Sequence, residues 1–111
     1  MEKHEFGIMQ NKPLSNERFD EYQPDKYNCI SIDDELIESI FIDLQSIDCY
    51  WHTLENKENG LNYYGITLIP PVSMDILIDI LSSKNNLEYN ALINLANIAK
   101  QSNKYIIHFG I

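Results

Sequence analysis

The fold is decided by Tyr63-Tyr64-Gly65-Ile66-Thr67-Leu68-Ile69-Pro70-Pro71-Val72-Ser73. Ile66 to Ile69 are apolar or β-branched, as a strand prefers. Pro70-Pro71 cannot extend that strand, because proline offers no ladder N–H. Ser73 has the hydroxyl of a helix N-cap, and Asp75 falls in the first turn, where the helix dipole favours a carboxylate. Met74, Leu77, Ile78 and Leu81 follow at i, i+3, i+4 and i+7, while Asp75, Asp79 and Ser82 face water. A strand over 62–69 and a helix from 73 therefore set the phase of the chain on either side.

Upstream, Glu55-Asn56-Lys57-Glu58-Asn59-Gly60 is a polar loop ending in the strongest short hairpin dipeptide, Asn-Gly. It is expected to bring a strand over about 48–54, rich in Cys49, Tyr50, Trp51 and Thr53, alongside 62–69 as an antiparallel partner. Before it, Leu36, Ile37, Ile40, Phe41, Leu44 and Ile47 form an amphipathic stripe, predicting a helix capped by Asp33 or Asp34 and broken near Ser46–Asp48. A continuous helix to about residue 54 is the alternative for that junction. Tyr27-Asn28-Cys29-Ile30-Ser31-Ile32 reads as a strand. Residues 1–28 hold two turn signals, Lys12-Pro13 and Gln23-Pro24, and a short strand at Phe6–Met9. Glu17 to Tyr22 reads as one helical turn or an extended arm.

Downstream, Ser83 to Asn86 breaks the helix, and a second helix is expected from Glu88 to Ser102 with Leu92, Leu95, Ala96 and Ala99 buried. Tyr105-Ile106-Ile107-His108-Phe109-Gly110-Ile111 is nearly all apolar, the signature of a strand covered on both faces. The fold class is α+β: a single domain over 1–111, with 1–28 as a flexible or extended N-terminal arm. A mixed or antiparallel sheet of four to five strands packs against about three helices, in the order (β)-β-α-β-β-α-α-β.

The 111 residues carry a net charge of −9, and its distribution is lopsided. Residues 1–58 hold fourteen acids against five bases, whereas 59–111 hold three of each. No Lys/Arg patch exists to hold phosphates, which argues against direct nucleic-acid binding. The start has no apolar leader, and no apolar run approaches a membrane span, so a cytoplasmic protein is expected. Cys29 and Cys49 are expected to be buried reduced thiols.

Catalytic patterns are sparse. Cys49 and His52 stand three apart, a spacing that pairs thiol and imidazole on a helix but separates them on a strand. His108 alternates with Ile107 and Phe109 and reads as a hydrogen-bonded core histidine. No ligand spacing for a metal and no phosphate-cradling glycine loop occurs, so neither cofactor nor metal is expected.

Gly65-Ile66-Thr67-Leu68-Ile69-Pro70-Pro71 with Ser73, and the terminal Ile107-His108-Phe109-Gly110-Ile111, resemble small bacterial immunity proteins. These accompany polymorphic and contact-dependent growth-inhibition toxins. The resemblance spans about Tyr27 to Ile111, including Ile32-Asp33-Asp34 and Cys49-Tyr50-Trp51, and its motifs are structural. It implies a non-enzymatic cytoplasmic antitoxin that binds a cognate toxin domain and blocks its active site or an essential surface; many such toxins are nucleases, whose positive clefts an acidic inhibitor fits. Electrostatic complementarity would then speed association. The partner-binding residues expected are Glu17, Asp20, Glu21, Asp25, Asp33, Asp34, Glu35 and Glu38, with Tyr22, Trp51 and Tyr63 as aromatic anchors. The alternatives are an acidic subunit of a larger complex, or a small enzyme using Cys49, His52 and His108.

Overall fold

The computed structural model describes residues 2–111. One antiparallel sheet runs β2 (Ile30–Asp33), β1 (Lys3–Ile8), β6 (Ile106–Phe109), β5 (Ile66–Ile69), β3 (Asp48–Trp51), β4 (Lys57–Asn59). Four helices complete the α+β domain: α1 (Asp34–Glu38), α2 (Phe41–Leu44), α3 (Met74–Ser83) and α4 (Asn90–Ser102). Side chains alternate across a sheet, and here each face receives its own core. Phe6, Ile69 and Ile106 join Ile37, Leu44, Leu77, Leu81, Leu92 and Ala96 under the helices. Ile66, Leu68, Ile107 and Phe109 form a second core on the other face, roofed by Phe19, Tyr27 and Cys29. Segment 10–29 therefore acts as a cover for the sheet, and β5 and β6 are buried throughout.

The C-terminal strand, the β3–β5 pairing and the burial of Leu92, Ala96 and Ala99 on α4 match the sequence reading, while Leu95 is only half-buried. Among the described residues the sheet has six strands instead of four to five, and there are four α-helices instead of about three. The N-terminal strand is longer than Phe6–Met9 and lies inside the sheet, with β2 on one side and β6 on the other. The chain after it forms the cover and ends in a 3-10 turn at Pro24–Tyr27, so the strand expected from Tyr27 begins only at Ile30.

The stripe from Leu36 to Ile47 is buried as expected, but on two short helices. Ile40 leaves the helical region (φ −117°, ψ 5°), and the Ser39 hydroxyl donates to the Leu36 carbonyl at 2.8 Å while meeting Tyr89 Oη at 3.1 Å. A serine that bonds its own turn competes with the helical ladder. The break before Asp48 and the strand after it are present, although β3 ends at Trp51 because His52 takes a left-handed φ of 65°. The polar loop holds β4, which pairs with β3 and forms the sheet's edge. Asn59-Gly60 is thus not the hairpin turn: Gly60 (φ 81°) closes the end of β4 against Gln45 and Leu44. Tyr63 to Gly65 turn before β5, which is shorter than 62–69.

Neither expected cap forms. Ser73 lies in a 3-10 turn over Pro71–Ser73, and its hydroxyl donates to the Asp48 carbonyl at 2.6 Å, tying α3 to β3. Asp33 occupies the N-cap of α1 without a side-chain bond, and the Asp34 carboxylate is used elsewhere.

Candidate functional site

Strand and loop positions align polar side chains beneath the helix layer. In the β1–β6–β5 register, Phe6 faces His108 and His108 faces Thr67. Strand alternation places His4 on the same face as Phe6. His4, Thr67 and His108 are all completely buried. His4 Nδ1 lies 2.9 Å from His108 Nε2, with the rings stacked at 5.1 Å between centroids. His108 Nδ1 lies 3.1 Å from Thr67 Oγ1, which accepts the Asn62 backbone N–H at 2.8 Å. At the other end His4 Nε2 meets Asp34 Oδ1 at 3.0 Å, and Tyr63 donates its hydroxyl to the same oxygen. Asn62 extends the row outward, because its amide nitrogen reaches His52 Nε2 at 3.3 Å while His52 Nδ1 meets Asp20 at 3.1 Å and the Phe19 carbonyl at 2.9 Å. The three histidines of the chain are strung between two carboxylates, Asp34 and Asp20.

With both core rings neutral, one assignment uses every donor and acceptor in the buried row. Asn62 N–H donates to Thr67, Thr67 O–H to His108 Nδ1, His108 Nε2–H to His4 Nδ1, and His4 Nε2–H to Asp34. Among the described residues no buried side-chain polar atom is left without a partner. Burial, followed by the neighbouring His4, drives the His108 pKa well below the ordinary histidine range. The Tyr63 hydroxyl, then His4, hold the Asp34 carboxyl below its usual value. Tyr63 itself is pushed upward, first by burial and then by Asp34.

The residues expected to bind a partner fall into two groups on opposite faces. Glu17, Asp20, Glu21, Tyr22 and Asp25 belong to the cover over the second core. Of these, Glu17 accepts the Leu14 N–H, and Asp20 is gripped by Arg18 at 3.0 and 3.1 Å. Tyr22 donates to Glu5, a bond that pushes its phenol up to about 12, and stands edge-on to Phe109. Asp33, Asp34, Glu35 and Glu38 gather at α1, with Tyr63 packed edge-on against His4 and Phe41. Glu88 joins this second group across a shallow cleft of about 200 Å³ shared with Asp33 and Leu36. Trp51 belongs to neither: it is half-buried and donates to the Gly60 carbonyl at 3.0 Å, at the opposite end of the sheet from β2.

Cys49, His52 and His108 take up separate partners. Cys49 is buried in the helix-side core, and desolvation with the adjacent Asp48 pushes its thiol up to about 12. His52 serves the cover and His108 the buried row, so no bond joins the thiol to either imidazole among the described residues. Both cysteines are free thiols, Cys49 buried and Cys29 half-buried. Among the described residues no group of histidines, cysteines and carboxylates could hold a metal ion, and no helix is long and apolar enough to cross a membrane.

Sequence reasoning found His108 as a core histidine but missed its row. Its partners His4, Thr67 and Asn62 are 104, 41 and 46 positions away, and only strand pairing brings them together. No family model, curated protein or solved structure matches the chain.

Proposed function

We propose that the chain is an immunity-type inhibitor, a non-enzymatic domain that binds and occludes a basic toxin domain of nuclease type. The observation that carries this reading is where the negative charge is left uncompensated. Arg18, Lys57, Lys84 and Lys100 are each held by a carboxylate of the same chain. Asp33, Glu35 and Glu38 make no ion pair among the described residues, although they crowd one short helix beside Glu88. Such a surface repels acids and draws in a positively charged cleft, raising the encounter rate and penalising wrong partners. On the cover, Asp20 and Glu17 already serve Arg18, His52 and the Leu14 N–H, and Arg18 and Lys26 stand among Glu17, Asp20 and Glu21. The contact is therefore assigned to α1. Asp34 and Tyr63 fix that helix to the sheet, so the charges stand on a held scaffold instead of a floppy loop.

The test pairs the purified chain with the toxin domain encoded beside its gene, comparing wild type with a D33K/E35K/E38K variant. Association slowed about tenfold or more at low salt, with loss of protection in cells and an unchanged melting profile, supports the reading. Equal protection and equal association rates would overturn it.

A further inference from the structure

Two stacked imidazoles at 2.9 Å, with no exposure to water, are an unusual load for a core of this size. The row accommodates them only while proton and lone pair alternate along it. A proton added at His4 Nδ1 would force His108 to present its Nε2 lone pair and carry its proton on Nδ1. Thr67 would then face two donors, the His108 and Asn62 N–H groups, leaving its own hydroxyl hydrogen without an acceptor. A second proton would set two N–H groups against each other at 2.9 Å. His108, fully buried in this row, therefore resists a proton in the fold that it accepts in the unfolded chain.

Few groups are placed to offset such a charge. From α1 comes Asp34, already bonded to His4 and Tyr63; from the loop before β5 comes Tyr63, near which Glu38 adds a further negative charge. β5 contributes Thr67, and β1 contributes the Phe6 ring, 4.9 Å from His108. The helices α3 and α4 bury only Met74, Leu77, Leu81, Leu92, Ala96 and Ala99, and α2 presents Phe41 to Tyr63. Among the described residues no carboxylate is bonded to His108, whose ring partners are His4 and Thr67.

We propose that the His4–His108 pair is an acid latch: neutral, it locks β1, β6, β5 and α1 together, and protonation opens them. The latch lies in the core and requires no partner, so it stands independently of the proposed inhibitor role. The sign follows from the burial of His108, which keeps its folded pKa well below 6.5. A base depressed in this way contributes fully above the unfolded value. The contribution is lost as pH falls below about 6.5 toward the folded value.

The test is denaturant unfolding of the full chain at pH 8, 7, 6 and 5.5, for wild type and His108→Gln. Between pH 6.5 and 5.5 the wild-type folding constant is expected to fall, relative to the variant's, by about fivefold, approaching one proton's worth per pH unit further below. Identical pH profiles for the two proteins would overturn the latch. If the glutamine variant does not fold, nitrogen-detected imidazole spectra of the wild type decide. An uncharged His108 that persists until the native signals vanish supports the latch, and a His108 ring titrating near 6.5 in an intact fold overturns it.

Discussion

Replacing Thr67 by valine changes the shape of the core hardly at all but removes the one hydroxyl that links β5 to the buried row. The side chain is fully buried. Its oxygen accepts from Asn62 N–H at 2.8 Å and serves His108 Nδ1 at 3.1 Å, so the substitution strands one donor and one ring nitrogen at once. Each orphaned buried group costs about 1–3 kcal/mol. The added methyl returns about 0.8 kcal/mol of apolar burial. The net loss expected is about 3 kcal/mol, a large share of the roughly 5–15 kcal/mol that holds a typical domain. Thr67→Ser is the control, because it keeps the hydroxyl and gives up only a methyl, about 1 kcal/mol. Urea unfolding followed by Trp51 fluorescence reads both variants, and the valine midpoint should lie about 1–2 M below wild type, with serine between them. A valine variant as stable as wild type, or more stable than serine, would refute the row as a structural element.

Two further predictions follow from close approaches and burial. A Cβ at Gly110 would overlap the Tyr63 carbonyl oxygen and lie 2.7 Å from its carbon, where Gly110 and Ile111 donate to the Gly65 and Tyr63 carbonyls at 2.7 and 3.0 Å. Gly110→Ala should therefore cost about 1–3 kcal/mol, measured by the same urea titration, and an unchanged midpoint would contradict the packing. Burial pushes Cys49 up to about 12 and half-buries Cys29, which desolvation and Glu5 raise to about 11. At pH 8 a thiol reagent should modify Cys29 slowly in the native protein and Cys49 only once denaturant is added; rapid labelling of Cys49 in the native state would contradict its placement.

What was legible in the chain was local. The spacing of Ile37, Ile40, Leu44 and Ile47 announces a buried helical face, the run Ile106–Phe109 announces a doubly covered strand, and Pro70-Pro71 marks where β5 must stop. The misreadings share a physical cause, which is that tertiary partners outcompete local ones. Ser73 and Asp34 have the chemistry of caps, but the Asp48 carbonyl and the His4–Tyr63 pair claim them. Ser39 splits one expected helix in two by bonding its own turn and Tyr89. β1 was obscured because its helix-facing positions, His4, Phe6 and Ile8, begin with a residue that looks polar. Its burial becomes sensible only beside His108, across nearly the whole chain. The candidate surface was half legible: the acidic excess before residue 58 is plain in the composition. Its division into one group on the cover and another at α1 depends on which face each segment covers.

The most direct test of the proposed α1 contact surface is amide shift mapping, in which the isotope-labelled chain is titrated with the protein domain encoded beside its gene, the toxin of the proposal. The expected result is a contiguous set of perturbations over Asp33–Glu38, spreading to Tyr63, Tyr64 and Glu88, and weakening as salt is raised. Perturbations confined to the cover at 17–25, or to the outer face of α4, would contradict it.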